Sequence, residues 1–140
     1  PDEESRQTMN ISMQVLIVED DDSWAQELGQ RLDEEGMTTH WARTLAEAER
    51  CCRSIRPDFV LLDIALGREN GLDLINRVRD AGIASISFIV VTGRSEWELA
   101  SIATDRGVDG YLFKPIDPDH LIDKLQSKLS FFIARSPAQI

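Results

Sequence analysis

Only two of the 140 residues are cysteines, and they are neighbours, Cys51 and Cys52. Adjacent cysteines close only a strained ring and neither has another partner, so a disulfide framework is excluded and a reducing, cytoplasmic compartment is expected. Long apolar runs are missing too. No stretch reaches the ~18 residues of a transmembrane helix, and the opening PDEESRQTMNISMQ lacks the basic-then-apolar order of a signal peptide, so no membrane partner is expected. The first residue is Pro1, which suggests a processed or excised piece with Met9 or Met13 as a native start. Positive charge is in deficit, with 15 Lys plus Arg against 25 Asp plus Glu, a formal charge of −10. That sign opposes binding to nucleic acid by counterion release, so no nucleic acid is expected on this domain. His40 and His120 have no partner at metal-ligand spacing, which sets aside a zinc-type centre and leaves both as structural or solvent-facing.

What is present is an ordinary core, 42% hydrophobic, in a chain long enough for one domain. Residues 1–13 read as an N-terminal extension, 14–130 as the domain, and 131–140 as a helix end followed by a tail or linker. Apolar, β-branched runs recur at Val15–Val18, Thr38–Ala42, Phe59–Leu62, Phe88–Val91 and Tyr111–Phe113. Their starts are 23, 21, 29 and 23 residues apart, room for a strand, a helix and two turns each time. Capping boxes fall in the gaps at Ser23–Gln26, Thr44–Glu47 and Ser95–Glu98, and Asp117-Pro118 sets an N-cap before a proline. Inward stripes run through Ala25, Leu28 and Leu32, through Leu45, Ala48, Cys52 and Ile55, and through Leu121, Ile122, Leu125 and Leu129. Gly36 and Gly82 follow the helices they would end. The expected fold is α/β: a five-stranded parallel, doubly wound sheet of order 2-1-3-4-5, a flavodoxin-like (βα)5 three-layer sandwich.

In such sheets ligands bind beyond the C-terminal ends of the strands. The first strand ends in Glu19-Asp20, with Asp21 and Asp22 following as helix-start residues; the third ends in Asp63, the fourth in Thr92 and the fifth in Lys114-Pro115. The second ends in Ala42-Arg43 and offers neither acid nor hydroxyl, as fits an edge strand. Three carboxylates forced together repel unless a cation compensates, and an all-oxygen donor set suits Mg²⁺. Asp63 could then attack phosphorus as a nucleophile, with Thr92 and Lys114 steadying the phosphoryl oxygens.

The segments Val15–Asp21, Pro57–Asp63, Asn70-Gly71, Val90–Gly93 and Gly110–Pro115, in this order, resemble the response-regulator receiver domain of two-component signalling over residues 14–129. The resemblance implies that Asp63 accepts a phosphoryl group from a phosphohistidine on a sensor histidine kinase or histidine phosphotransfer protein. It implies that Asp20 and Asp63 bind Mg²⁺ directly, Glu19 through water, and Ala65 through its backbone carbonyl. Thr92 and Tyr111 match the switch pair, which reshapes the surface around the fourth helix, fifth strand and fifth helix. Lys114-Pro115 matches a cis peptide. The output domain would lie outside this chain or on a separate effector, and a homodimer is compatible. The chemistry is self-directed, not that of an enzyme with turnover.

Gly67 stands where the family often has proline, an expectation of a looser loop. Ala65 and Arg94 occupy positions that tune phosphoryl lifetime, and neither activates a hydrolytic water, so the aspartyl phosphate is expected not to be short-lived. A haloacid-dehalogenase-type phosphatase would need a second acid at Ala65, and a silent pseudo-receiver would have lost part of the Glu19, Asp20, Asp63, Thr92, Lys114 set. Cys52 reads as core and Cys51 as partly exposed, without redox function. Trp97 reads either as a partly buried packing residue or as part of a partner or dimer surface, and the run Phe131–Ile133 as a continuation of the last helix or a contact with something outside this chain.

Overall fold

Phe59–Asp63 (β3) runs through the centre of the molecule with all five residues buried. Four apolar side chains in a row are what a strand covered on both faces requires. Gln14–Val18 (β1) and Ser87–Thr92 (β4) flank it, and Thr38–Ala42 (β2) and Val108–Phe113 (β5) form the edges. All neighbours pair in parallel, in the expected order β2-β1-β3-β4-β5. The computed structural model describes residues 13–93 and 107–135, the last eight as helix backbone. The Ser95 capping box, Trp97, Arg94, and the side chains of Leu129 and Phe131–Ile133 therefore lie outside the described residues.

Asp22–Glu34 (α1), Leu45–Ser54 (α2), Leu72–Asp80 (α3) and a C-terminal helix, Pro118–Arg135, cover the sheet. Successive strand residues point to opposite faces, and two cores result. Val60 and Leu62 meet Leu45, Ala48 and Cys52 of α2 and Leu74, Ile75 and Val78 of α3. Phe59 and Leu61 meet Ala25, Leu28 and Leu32 of α1 and Leu121, Ile122 and Leu125 of the C-terminal helix. Each large side chain so buried contributes about 1.5–3 kcal/mol before chain entropy is subtracted.

The helix ends follow local chemistry. Thr44 accepts a hydrogen bond from the Glu47 N–H at 3.2 Å, as its box predicts. The Glu47 carboxylate reaches one residue further back than expected, to the Arg43 N–H at 2.7 Å. At Gly36 and Gly82 the backbone turns left-handed, with φ of 88° and 83°. Met37 and Ile83 then donate back to Leu32 and Val78 and are themselves buried.

Three details differ from expectation. The cap of α1 is Asp21, whose Oδ1 accepts from the Trp24 N–H at 3.1 Å, so Ser23 lies inside the helix. A carboxylate two residues earlier takes the same role and carries the charge that a helix N-terminus favours. Ile55 is 38% exposed because α2 ends at Ser54 and Ile55 only caps it. The last strand begins at Val108, three residues before the apolar run, because a register shift between Phe88 and Ile89 pairs them with Val108 and Gly110 and leaves Asp109 over. Polar Asp109 and bare Gly110 hide that extension from a hydrophobicity pattern.

Candidate functional site

The C-terminal ends of the strands are brought level by their pairing. Asp63 lies opposite Val91, and Thr92 opposite Phe113. The Ile64 N–H donates to the Val91 carbonyl at 3.1 Å, and the Lys114 N–H to the Thr92 carbonyl at 2.9 Å. Glu19 continues β1, its N–H bonded to the Ala42 carbonyl at 3.0 Å. Four strands thus deliver their terminal residues to one rim.

There, Glu19, Asp20 and Asp63 each offer a carboxylate oxygen, all within 4.8 Å of one another. Glu19 and Asp63 are buried, at 3% and 2% exposure, whereas Asp20 faces solvent. Lys114 extends its ammonium to 2.7 Å from Asp63 Oδ2 and 4.0 Å from Glu19 Oε1. Asp63 Oδ1 accepts the Ala65 N–H at 3.0 Å. Glu19 Oε2 accepts the N–H groups of Asp20 and Asp21 at 3.0 and 3.1 Å.

One ammonium does not balance three acids. Burial, then the charge of Asp63 and a hydrogen bond shared with it, push the Glu19 carboxyl up to about 8 against the opposing pull of the Asp21 N–H and Lys114. Burial works against the Lys114 charge, but its hydrogen bond to Asp63 and the charges of Asp63, Glu19 and Asp20 outweigh it, and its pKa rises. A pocket with surplus negative charge and only hard oxygen donors fits a hard divalent cation.

Thr92 is fully buried and its hydroxyl donates to the Gly93 carbonyl at 2.8 Å. Tyr111, on β5, is half-buried against the core shared by α2 and α3. Lys114-Pro115 is cis, as expected. The segment after Asp63 folds into a two-residue antiparallel ladder, Ala65 opposite Asn70 and Leu66 opposite Glu69, turning at Gly67 with φ 60°. Beside Glu19 and Lys114 opens a groove of about 460 Å³ walled by Trp24, Leu28, Pro115 and Ile116.

Two residues acquire roles that their types did not announce. Glu69 Oε1 accepts the Leu45 N–H at 3.1 Å, tying the post-Asp63 segment to the start of α2 where a proline is absent. Gly71 is packed so close to Asp63 that a Cβ there would stand 2.1 Å from the Asp63 carbonyl oxygen. The Asn70-Gly71 pair was visible as a motif, but only the packing supplies its reason. His40 has a structural partner, its Nε2 lying 2.6 Å from Gln14 Oε1. Cys52 is buried and Cys51 half-buried.

A parallel five-stranded sheet with three acids, a hydroxyl and an ammonium at its C-terminal rim defines a class, and similarity identifies it. Residues 15–126 match the family model described as the response regulator receiver domain, and the chain belongs to that family. It is 31% identical over 120 residues to the DNA-binding response regulator MtrA of Mycobacterium tuberculosis, an alignment covering 85% of this chain and 51% of that protein. It is 30% identical over 115 residues to the virulence transcriptional regulatory protein PhoP of Salmonella typhimurium, covering 82% of this chain and 51% of the relative. The chain therefore spans about half the length of these relatives. Among solved structures, a CheY-like receiver domain protein from Methanospirillum hungatei superposes with a TM-score of 0.80 at 26% identity, covering 89% of this chain and 99% of the other. A two-component response regulator from Clostridium difficile gives 0.77 at 26% identity, covering 85% and 97%. Among the described residues no helix is long and apolar enough to cross a membrane.

Proposed function

We propose that this receiver domain accepts a phosphoryl group on Asp63 in a Mg²⁺-dependent reaction and thereby switches a protein surface. The observation carrying this reading is the convergence of three carboxylate oxygens within 4.8 Å, with Lys114 2.7 Å from Asp63, at the strand ends. Glu19, Asp20, Asp63 and the Ala65 carbonyl would hold the ion. Bound Mg²⁺ supplies positive charge against the oxygens of the incoming phosphoryl group.

An Asp63 carboxylate oxygen forms the new bond to phosphorus as the P–N bond of a phosphohistidine breaks, its electron pair leaving with the imidazole nitrogen. Lys114, 2.7 Å from Asp63 Oδ2, pairs with that carboxylate before transfer and with a phosphoryl oxygen after it. Thr92 turns its hydroxyl proton from the Gly93 carbonyl to another phosphoryl oxygen, vacating space toward which Tyr111 moves. The surface so altered includes β5 and its neighbours. The donor, a sensor histidine kinase or a phosphotransfer protein, approaches over the groove beside Trp24 and Ile116. The reaction modifies the domain itself, so it is not an enzyme with turnover. We place it in the cytoplasm, with its output made through protein contacts by a separate effector or another part of a longer protein, as the relatives' length suggests.

Labelling by acetyl phosphate tests the assignment. Wild-type protein is expected to incorporate phosphate only with Mg²⁺ present, and Asp63→Asn to lose the label; undiminished labelling of that variant would show that the acceptor is another residue.

A further inference from the structure

The edge strand β2 supplies none of the site's carboxylates, hydroxyls or ammonium groups, yet it grips the segment that carries two of the acids. Glu19 to Asp22 are four consecutive acids, and like charges at that spacing repel. Both peptide groups flanking this stretch at Glu19 are tied to β2. The Glu19 N–H donates to the Ala42 carbonyl at 3.0 Å, and the indole N–H of Trp41 donates to the Glu19 carbonyl at 2.8 Å. Arg43 then lies with its guanidinium carbon 4.2 Å from the centroid of the Trp41 ring and a nitrogen 2.9 Å from Asp22 Oδ1. The Arg43–Asp22 pair is about half exposed on both sides and contributes little alone. Its effect is geometric: it pins the guanidinium over the indole and so fixes the ring whose N–H holds Glu19.

We infer that Trp41 and Arg43 are positioning residues for the acidic pocket, bracketing Glu19 to Asp22 from both ends in the arrangement that receives a divalent cation. This rests on the metal-binding reading above. An aliphatic residue at position 41 would leave the Glu19 carbonyl without that donor and so loosen the peptide that joins the Glu19 and Asp20 carboxylates. Such outer partners commonly govern metal affinity by about tenfold or more.

Thermal melts of wild type, Trp41→Phe and Arg43→Met across a Mg²⁺ titration, starting from chelator-treated protein, test the inference. Trp41→Phe keeps an aromatic ring but removes the N–H together with part of the indole's bulk; it is expected to need about tenfold more Mg²⁺ for half of the melting shift. Arg43→Met is expected to move in the same direction by a smaller factor. In ¹⁵N spectra of wild type, the Trp41 indole resonance, assigned by its loss in Trp41→Phe, is expected to shift as Mg²⁺ is added, as its hydrogen bond to the Glu19 carbonyl requires. Variants that titrate at the wild-type concentration, with an indole resonance that stays in place, overturn the inference while leaving the metal site standing. A wild type indifferent to Mg²⁺ overturns both. Should Trp41→Phe not fold, the Mg²⁺ titration of Arg43→Met decides by the same criterion.

Discussion

Alanine at Gly71 is the smallest change that would act on fold and site together. Gly71 has ordinary helical angles, φ −55° and ψ −29°, so alanine meets no conformational objection there. The obstacle is contact. A Cβ would lie 2.1 Å from the Asp63 carbonyl oxygen, 3.0 Å from its carbon and 3.1 Å from the Ile64 Cα, all of them backbone atoms. The Gly71 N–H donates to the Ile64 carbonyl at 2.8 Å, so this approach is held closed. Carbon contacts normally settle at about 3.5–4.0 Å, and the chain would have to open by more than about 1 Å. Overpacking costs about 1–3 kcal/mol where side chains can yield, and backbone obstacles place this case at about 3 kcal/mol or above. At ~4 °C per kcal/mol for a domain of this size, the melting temperature should fall by about 12 °C. Gly29→Ala is the matched control. It sits within α1 with only Thr39 Oγ1 at 3.7 Å and Ile17 Cδ1 at 3.8 Å, ordinary distances. There alanine should add about 0.5–1 kcal/mol of stability. Urea denaturation followed by far-ultraviolet circular dichroism measures both. Because the atom displaced belongs to Asp63, Gly71→Ala should also weaken the melting response to Mg²⁺, and Gly29→Ala should not. A loss below about 1 kcal/mol at Gly71, or equal losses at the two glycines, would refute the close-packing account.

Two further expectations follow from the buried ionisable groups. In chelator, Glu19 in the folded state binds its proton up to about pH 8, above its ordinary value of 4.5, so folding takes up a proton between those limits. Its contribution to stability is fully present below about pH 4.5 and is lost as pH rises through about 8. The slope is at most ~1.4 kcal/mol per pH unit. Denaturation midpoints from pH 5 to 8 should fall in wild type and flatten in Glu19→Gln; parallel slopes would contradict the assignment. Burial, then the charges of Cys51 and Glu49, push the Cys52 thiol up to about 12, and burial raises Cys51 as well. Iodoacetamide at pH 8 should therefore leave Cys52 unmodified in native protein and label it promptly in urea; rapid native labelling would place that thiol elsewhere than in the α2 core.

The strand order and the two-sided core were legible because the signals that define them are carried by side-chain type. Phe59 to Leu62 reads as a covered strand from its short unbroken apolar run, and the acids, hydroxyl and lysine at the strand ends are polar groups that an apolar run cannot absorb. Helix ends were less legible, since several residues compete for one role. Asp21, Asp22 and Ser23 can all cap α1, and the choice falls to the residue whose carboxylate reaches the Trp24 N–H at 3.1 Å. The start of β5 was invisible for a different reason: Asp109 and Gly110 contribute to the sheet through backbone pairing alone.

The same distinction separates the parts of the site. Glu19, Asp20, Asp63, Thr92 and Lys114 matter through charge and hydrogen-bonding groups intrinsic to their side chains, so their types and spacing suffice to nominate them. Gly71 matters through an atom it lacks, Glu69 through a backbone N–H at Leu45, and Trp41 through the carbonyl of Glu19. Each acts on main chain that any sequence would possess, and so none leaves a mark that composition can read. One partial mark did exist. Trp41 and Arg43 are two apart where the edge strand ends, a spacing that sets both on one side of a strand, next to a run of four acids that needs restraint. An aromatic and a cation so placed are a pair to be weighed wherever an acidic pocket ends the neighbouring strand, because a strand that contributes no group to the pocket is free to hold the others still.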